Sequence, residues 1–158
     1  MPGGVTVLAV GRLKEDYLRA ACSEYLKRLG AYCKVSVVEV EEEPTAKGRG
    51  DDAVKLAEGG RILAKIPGRG FVVALDRAGR RADSEGFAQM LTRGLSDGAG
   101  HVTFIIGGSF GLSPEVLSRA DMSLSFSEMT FPHRLMRVIL LEQVYRAMNS
   151  LGGGKYHK

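Results

Sequence analysis

Length, composition and charge set broad limits on this chain. Its 158 residues include 44% hydrophobic residues and carry a net charge of +4, which fits one domain, residues 1–158, that folds without disulfides. Because the positive charge is mild, it allows an acidic partner such as RNA without requiring one. No charged leader or long apolar run follows Met1, so we expect neither a signal peptide nor a membrane span. Cys22 and Cys33 lack metal-ligand spacing, which predicts reduced thiols in a cytoplasmic protein without a metal.

Short apolar runs alternate with amphipathic stretches along the chain. The apolar runs are rich in β-branched and aromatic residues, which is typical of strands. Strands are expected at 5–10, 34–40, 71–76, 101–107 and 122–127, and helices near 14–29, 52–66, 83–96, 113–120 and 132–149. This alternation predicts an α/β fold with a mainly parallel sheet flanked by helices on both faces.

Polar residues mark the starts of two of these helices. Asp83 and Ser113 are candidate N-caps, and Pro114 and Glu115 place a first-turn proline and a dipole-favoured acid directly after Ser113. The stretch 41–52 reads as a polar surface loop, since neither side of it is long enough to be a separate domain.

The last helix is apolar around most of its circumference. At about 100° per residue, only Glu142, Arg146 and Asn149 form a compact polar band. The apolar positions are Leu135, Met136, Val138, Ile139, Leu140, Leu141, Val144, Tyr145, Ala147 and Met148. A terminal helix of this kind must be covered on more than one side, which favours a homodimer through it. The alternative is a central helix of a monomer.

Three predicted strands end in segments that could form a ligand site. The third ends at Leu75 and runs into RAGRR (77–81), the fourth into the glycine loop that starts at Gly107, and the fifth into FSEMTFPH (126–133). Because ligands bind outside the carboxyl ends of parallel strands, we expect these segments to line one pocket.

The glycine loop and the arginine-rich segment each allow two interpretations. GGSFG (107–111) lacks the GK[ST] of a triphosphate loop and follows the wrong strand for a dinucleotide fingerprint. It is therefore either a loop where backbone approaches a ligand or a tight turn. Arg77, Arg80 and Arg81 could hold RNA phosphates in two-point fashion, or they could belong to a solvated loop.

His133 and the end of the chain carry the remaining candidate side chains. His133 follows Pro132 at a helix start, where a histidine is either structural or a base. Tyr156, His157 and Lys158 follow a glycine run, and a tyrosine flanked by cations can stack on a base and hold phosphate. Tails of this kind can also be disordered. No side chains stand at metal-ligand spacing, and no GxSxG motif supports acyl transfer.

Several segments together resemble a known family. VLAVGRLKEDYL, EYLKRLG, IIGGSFGLS, LSFSEMTFPHRLMRVILLEQVYRA and the terminal YHK are similar to the ribosomal RNA large subunit methyltransferase H family, in the SPOUT class of RNA methyltransferases. The resemblance runs from the first strand to the last residue. It implies a homodimer with a trefoil knot near its carboxyl terminus. The activity it implies is S-adenosyl-L-methionine-dependent methylation of N3 of a pseudouridine in 23S ribosomal RNA, with free RNA, the subunit and the complete ribosome all open as the substrate.

The resemblance also implies roles for individual residues. It makes His133 and Tyr156 catalytic candidates, and His157 and Lys158 candidates for binding the RNA substrate. The cofactor pocket maps onto Leu75, Gly107, Phe126, Ser127, Glu128, Met129, Thr130 and Phe131. Two other functions stay open, namely a SPOUT enzyme that acts on a ribose hydroxyl or on guanine N1, and a non-catalytic ribosome-binding module.

Overall fold

The computed structural model describes residues 4–45 and 50–152. Five strands and five helices alternate along them, as the sequence predicts. They are β1 (Gly4–Val10), α1 (Asp16–Leu29), β2 (Lys34–Val40), α2 (Asp51–Lys65), β3 (Phe71–Arg81), α3 (Ser84–Asp97), β4 (His101–Ile106), α4 (Pro114–Arg119), β5 (Met122–Ser125) and α5 (His133–Leu151).

The five strands form one parallel sheet in the order β2-β1-β4-β3-β5. This order makes β3, β4 and β5 neighbours, so the three strand ends singled out in the sequence meet at one edge. The predicted α/β fold is thereby confirmed. The trefoil knot and the single-domain organisation of residues 1–158 stay predictions.

Helices cover both faces of the sheet. Helix α5 packs between α1 and α3 on one face, and α2 packs with α4 on the other. Alternate residues of β1 supply the two cores: Val5, Val7 and Ala9 join the α5 side, and Leu8 and Val10 join the α2 side. The near-continuous apolar strands in the sequence are explained by this two-sided burial.

Both predicted N-caps are confirmed. The Asp83 carboxylate accepts a hydrogen bond from the backbone N–H of Gly86 at 2.7 Å, and the Ser113 hydroxyl accepts one from Val116 at 3.3 Å. These bonds satisfy donors that a helix start leaves without an intrahelical partner. Cys22 and Cys33 are both buried and free.

Strand β3 is longer than predicted, and the expected end near Asp76 is wrong. After Leu75 pairs with Leu124 of β5, the chain bulges outward and then pairs again, with Arg80 opposite Leu124 and Arg81 opposite Ser125. A Cβ on Gly79 would lie 2.7 Å from the backbone of β5, so the absent side chain allows the second approach. RAGRR is therefore an edge extension of the sheet.

Helix α5 is covered on one side within the chain. Leu140, Leu141 and Val144 are fully buried against α1 and α3, whereas Leu135 stays 37% exposed on the opposite side. The homodimer that would cover this outer side stays a prediction. Within residues 4–45 and 50–152, no helix is both long and apolar enough to cross a membrane.

An ion pair between a buried guanidinium and a partly exposed carboxylate joins α5 to the carboxyl ends of β1 and β2. The Arg137 guanidinium is 3% exposed, donates to Glu39 at the end of β2 over 2.5 Å, and donates to the carbonyl of Gly11 over 3.1 Å. These bonds fix the first two turns of α5 against the carboxyl ends of β1 and β2.

Glu39→Ala is expected to lower the free energy of unfolding by about 1–3 kcal/mol, since it leaves a buried guanidinium without its carboxylate, while solvent screens the 37% exposed Glu39 side chain. Urea denaturation measures this loss. Glu24→Ala is the matched control, because Glu24 pairs with Arg28 on the exposed side of α1 and such pairs contribute little. Equal denaturation midpoints for the two variants would contradict the contribution to the free energy of unfolding that we expect from the Arg137–Glu39 pair.

Candidate functional site

A cavity of about 430 Å³ opens at the carboxyl edge of the sheet. Leu75, Asp76 and Arg77 within β3 line it together with the segments that follow β4 and β5, so residues from all three segments meet at one cavity, as expected from the sequence. The lining residues are Leu75, Asp76, Arg77, Ile106, Gly107, Gly108, Ser109, Phe110, Gly111, Leu124, Phe126, Ser127, Met129, Thr130, Phe131, His133 and Met136. The cavity therefore combines apolar side chains with exposed loop backbone.

The glycine loop 107–111 is a tight turn that also lines the cavity, so the two interpretations of GGSFG are compatible. The N–H of Gly111 donates to the carbonyl of Gly108 at 3.1 Å, and Gly111 has a φ of +89°. A Cβ on Gly107 would lie 2.9 Å from the backbone of Gly111 and 3.0 Å from the side chain of Leu112. The close approach of the loop to itself thus explains why residue 107 is a glycine. Room for a ligand is not required to explain it.

Gly107→Ala is expected to lower the free energy of unfolding by about 1–3 kcal/mol, because the added methyl group forces the loop backbone apart. Gly60→Ala on α2 is the control, since a Cβ there meets nothing within 4 Å. That control should raise stability by about 0.5–1 kcal/mol through helix propensity. Thermal denaturation of both variants checks the prediction, and a Gly107→Ala protein as stable as the wild type would contradict it.

The loop 126–131 forms the opposite wall and is held by polar contacts. The Ser127 hydroxyl accepts from the N–H of Met129 at 2.9 Å. Arg77 donates to the Thr130 hydroxyl at 2.6 Å, and Arg81 pairs with Glu128 at 2.6 Å. Two of the three arginines of RAGRR therefore tie the extension of β3 to this loop.

Seven of the eight residues to which the resemblance gave a cofactor role line the cavity. Glu128 is the exception, because its carboxylate pairs with Arg81. Arg80 and Arg81 lie outside the lining as well, on the exposed edge of the sheet. A role for these arginines in holding RNA stays a prediction.

His133 is the imidazole at the cavity. Its Nε2 is buried and, among the described residues, accepts or donates no hydrogen bond. Burial lowers the pKa of His133, and the neighbouring positive charges of Arg134 and Arg137 lower it further, while Glu42 and Glu15 act in the opposite direction. The imidazole is therefore neutral near pH 7 and can accept a proton.

Contacts with the sheet fix the position of His133. Arg134, the next residue, donates to the carbonyl of Arg12 at 3.1 Å and to the carboxylate of Glu42 at 2.6 Å. With the Arg137 pair one turn later, these bonds hold the first turn of α5 over the ends of β1 and β2. Preorganisation of this kind is what a proton-transfer group requires.

The remaining candidate residues are not part of the described site. Tyr156, His157 and Lys158 lie outside the described residues, so their roles stay predictions. In the described part of the chain, no group of three or more His, Cys, Asp or Glu side chains is arranged to hold a metal.

Some residues that line the cavity were not predicted, although the sequence contains a signal for them. Ile106 and Leu124 are the last apolar residues of their strands, and Met136 lies one helical turn after His133. Their spacing could have placed them at the same edge. Phe110, at the exposed tip of the glycine loop, lies in a segment that the sequence already placed at the pocket.

Comparisons with known proteins agree with this geometry. A family model described as predicted SPOUT methyltransferase matches residues 4–157. A probable methylase family protein from Haemophilus influenzae Rd KW20 gives a TM-score of 0.57 at 11% identity, over 98% of this chain and 70% of that one. The SpoU methyltransferase AviRb from Streptomyces viridochromogenes, solved with its cofactor AdoMet, gives 0.50 at 16% identity, over 98% of this chain and 60% of that one. At such identities the two structures establish a common fold, and this chain spans only part of the length of each.

Proposed function

The chain belongs to the SPOUT methyltransferase family, and from this premise we propose that it methylates N3 of a pseudouridine in 23S ribosomal RNA. The methyl donor is S-adenosyl-L-methionine, which supplies an activated methyl group on its sulfonium. The ribosome is then the partner, and a homodimer the working form.

The composition of the cavity supports S-adenosyl-L-methionine as its ligand. Leu75, Phe126 and Phe131 offer apolar surfaces for a flat purine, and the backbone of the glycine loop and of residues 127–130 offers hydrogen-bonding groups. AviRb, which has the same fold, was solved with AdoMet. Pockets with apolar walls and a few placed polar groups are typical of small-molecule sites.

The imidazole of His133, which lines the cavity and whose pKa is lowered by burial, is the observation that carries the proposed reaction. N3 of pseudouridine holds a weakly acidic imide proton that must leave before a methyl group can bond there. A neutral imidazole beside the substrate can accept that proton. A ribose hydroxyl is a far weaker acid, so this arrangement favours the imide over the ribose.

The tail completes the proposed site, with Tyr156 as a catalytic group and His157 and Lys158 contacting the RNA, as the resemblance implies. Arg80, exposed at the edge of β3, adds a cation beside the cavity that can attract phosphate. The mild net charge means that binding depends on the shape of the ribosomal substrate as well as on phosphate attraction.

Mass spectrometry of ribosomal RNA from a deletion strain tests the proposal. Loss of the methyl group from a pseudouridine of 23S RNA, restored by the plasmid-borne gene, is the expected result. Loss from a ribose or a guanine would favour another SPOUT activity. Unchanged RNA modification, together with RNA binding by the pure protein, would favour a non-catalytic ribosome-binding module.

A further inference from the structure

Helix α2 closes the back of the glycine loop. Glu58 is 4% exposed, and its Oε1 and Oε2 lie 2.8 Å and 3.2 Å from the position of a Cβ on Gly108. The next residue, Gly59, packs directly on the side chain of Ser113, the cap of α4. Two consecutive residues of α2 therefore contact the glycine loop at Gly108 and the chain at Ser113, two residues beyond the loop.

The Glu58 carboxyl has one bonded and one unbonded oxygen. Its Oε2 accepts the backbone N–H of Glu43 at 3.0 Å, and Oε1 has no hydrogen-bond partner among the described residues. Arg61, one turn along α2, pairs with Glu43 at 2.5 Å. The same acidic segment, through Glu42, pairs with Arg134 next to His133. Contacts thus run without a break from the glycine loop to the first turn of α5.

A buried carboxyl in this place is costly to folding. Burial raises the pKa of Glu58, the N–H of Glu43 and the charge of Arg61 lower it, and the charges of Glu42 and Glu43 raise it. A group whose pKa is raised on folding stabilises the fold below its unfolded pKa, and this contribution is lost as the pH rises through the folded value. Near pH 7 the buried carboxyl of Glu58 therefore does not stabilise the fold. Stability does not explain why a glutamate stands at this position.

We propose that Glu58 is a positioning residue that holds the glycine loop 107–111 in the shape the methyl donor requires. It fills the space behind Gly108, and the hydrogen bond from the N–H of Glu43 fixes its carboxyl there. The assignment of the ligand rests on the proposed function, whereas the contact between Glu58 and the loop does not. No atom of Glu58 lines the cavity, so it acts on the ligand only through the loop.

Three variants separate this role from general stability. Glu58→Ala removes the carboxyl, Glu58→Gln keeps its shape and its acceptor for Glu43, and Ile62→Val removes one methylene from a fully buried residue of the same helix. Hydrogen exchange of the ligand-free proteins reports on the backbone of 107–112, and calorimetry measures the Kd for S-adenosyl-L-methionine.

In Glu58→Ala, the loop amides should exchange about tenfold faster, and the Kd for S-adenosyl-L-methionine should rise about tenfold, as for residues that act through a neighbour. Glu58→Gln should restore most of the affinity, and Ile62→Val should leave the Kd unchanged. Unaltered loop exchange and an unaltered Kd in Glu58→Ala, beside a wild type that binds, would overturn this inference alone. A wild type that binds no S-adenosyl-L-methionine would overturn the proposed function, and the exchange data would still decide the contact.

A double-variant cycle tests whether the contact with Gly108 is direct. A Cβ at 108 collides with the Glu58 carboxyl, so Gly108→Ala alone should accelerate exchange in the loop. Combined with Glu58→Ala, the same methyl group enters the vacated space, and its effect should be smaller than in the wild-type background. Additive effects of the two changes would refute a direct contact.

Discussion

Removal of residues 155–158 is expected to lower methyl transfer at least about a hundredfold, within the range that positioned acid–base groups contribute, while the affinity for S-adenosyl-L-methionine stays unchanged. The reason is that different residues are assigned to the cofactor and to the RNA. Among the described residues, those that line the cavity fall between Leu75 and Met136, whereas the resemblance assigns Tyr156 to catalysis and His157 and Lys158 to the RNA. Calorimetry measures cofactor binding, and transfer of labelled methyl to ribosomes measures turnover.

Single substitutions in the tail identify which group matters. Tyr156→Phe removes only the hydroxyl, and Lys158→Ala removes a cation that can hold phosphate. Lys155→Ala is the control, because it removes one positive charge, as Lys158→Ala does, but lies outside the terminal motif. Normal turnover by the truncated protein would refute the role given to the tail.

His133→Gln is expected to reduce kcat by about 10²–10⁴, the usual contribution of a positioned proton acceptor, with the Kd for S-adenosyl-L-methionine within about twofold, since the substitution keeps a polar side chain of similar reach. The wild-type rate should fall as the pH drops through the pKa of His133. Burial and Arg134 lower that pKa, so the fall should occur below the pH at which an ordinary histidine titrates. In His133→Gln this acidic limb should be absent.

His101→Gln is the matched control for the histidine experiment. Burial also lowers the pKa of His101, which bonds the Thr6 hydroxyl at the opposite edge of the sheet. The control should retain both the rate and its acidic limb. An unchanged pH profile in His133→Gln would mean that another group, or water, accepts the imide proton.

The order of elements and the place of the site follow from local features of the sequence. Each strand is recognised by a run of β-branched and apolar residues, and the caps Asp83 and Ser113 act within three residues of themselves. In a parallel sheet the carboxyl ends of the strands share an edge. The sequence alone could therefore place Leu75, Gly107 and Phe126 around one cavity. The pattern of apolar runs that locates the strands does not predict which side chains support the walls of that cavity.

The sequence by itself determined the fold class, the elements, the edge that holds the cavity and the resemblance to a methyltransferase family. Only the tertiary structure decided that β3 continues along β5 to Arg81 and that Glu58 contacts Gly108. The physical reason is distance along the chain. Arg137 bonds Glu39 and Gly11 across 98 and 126 residues, and such contacts depend on how elements pack, which no local periodicity encodes.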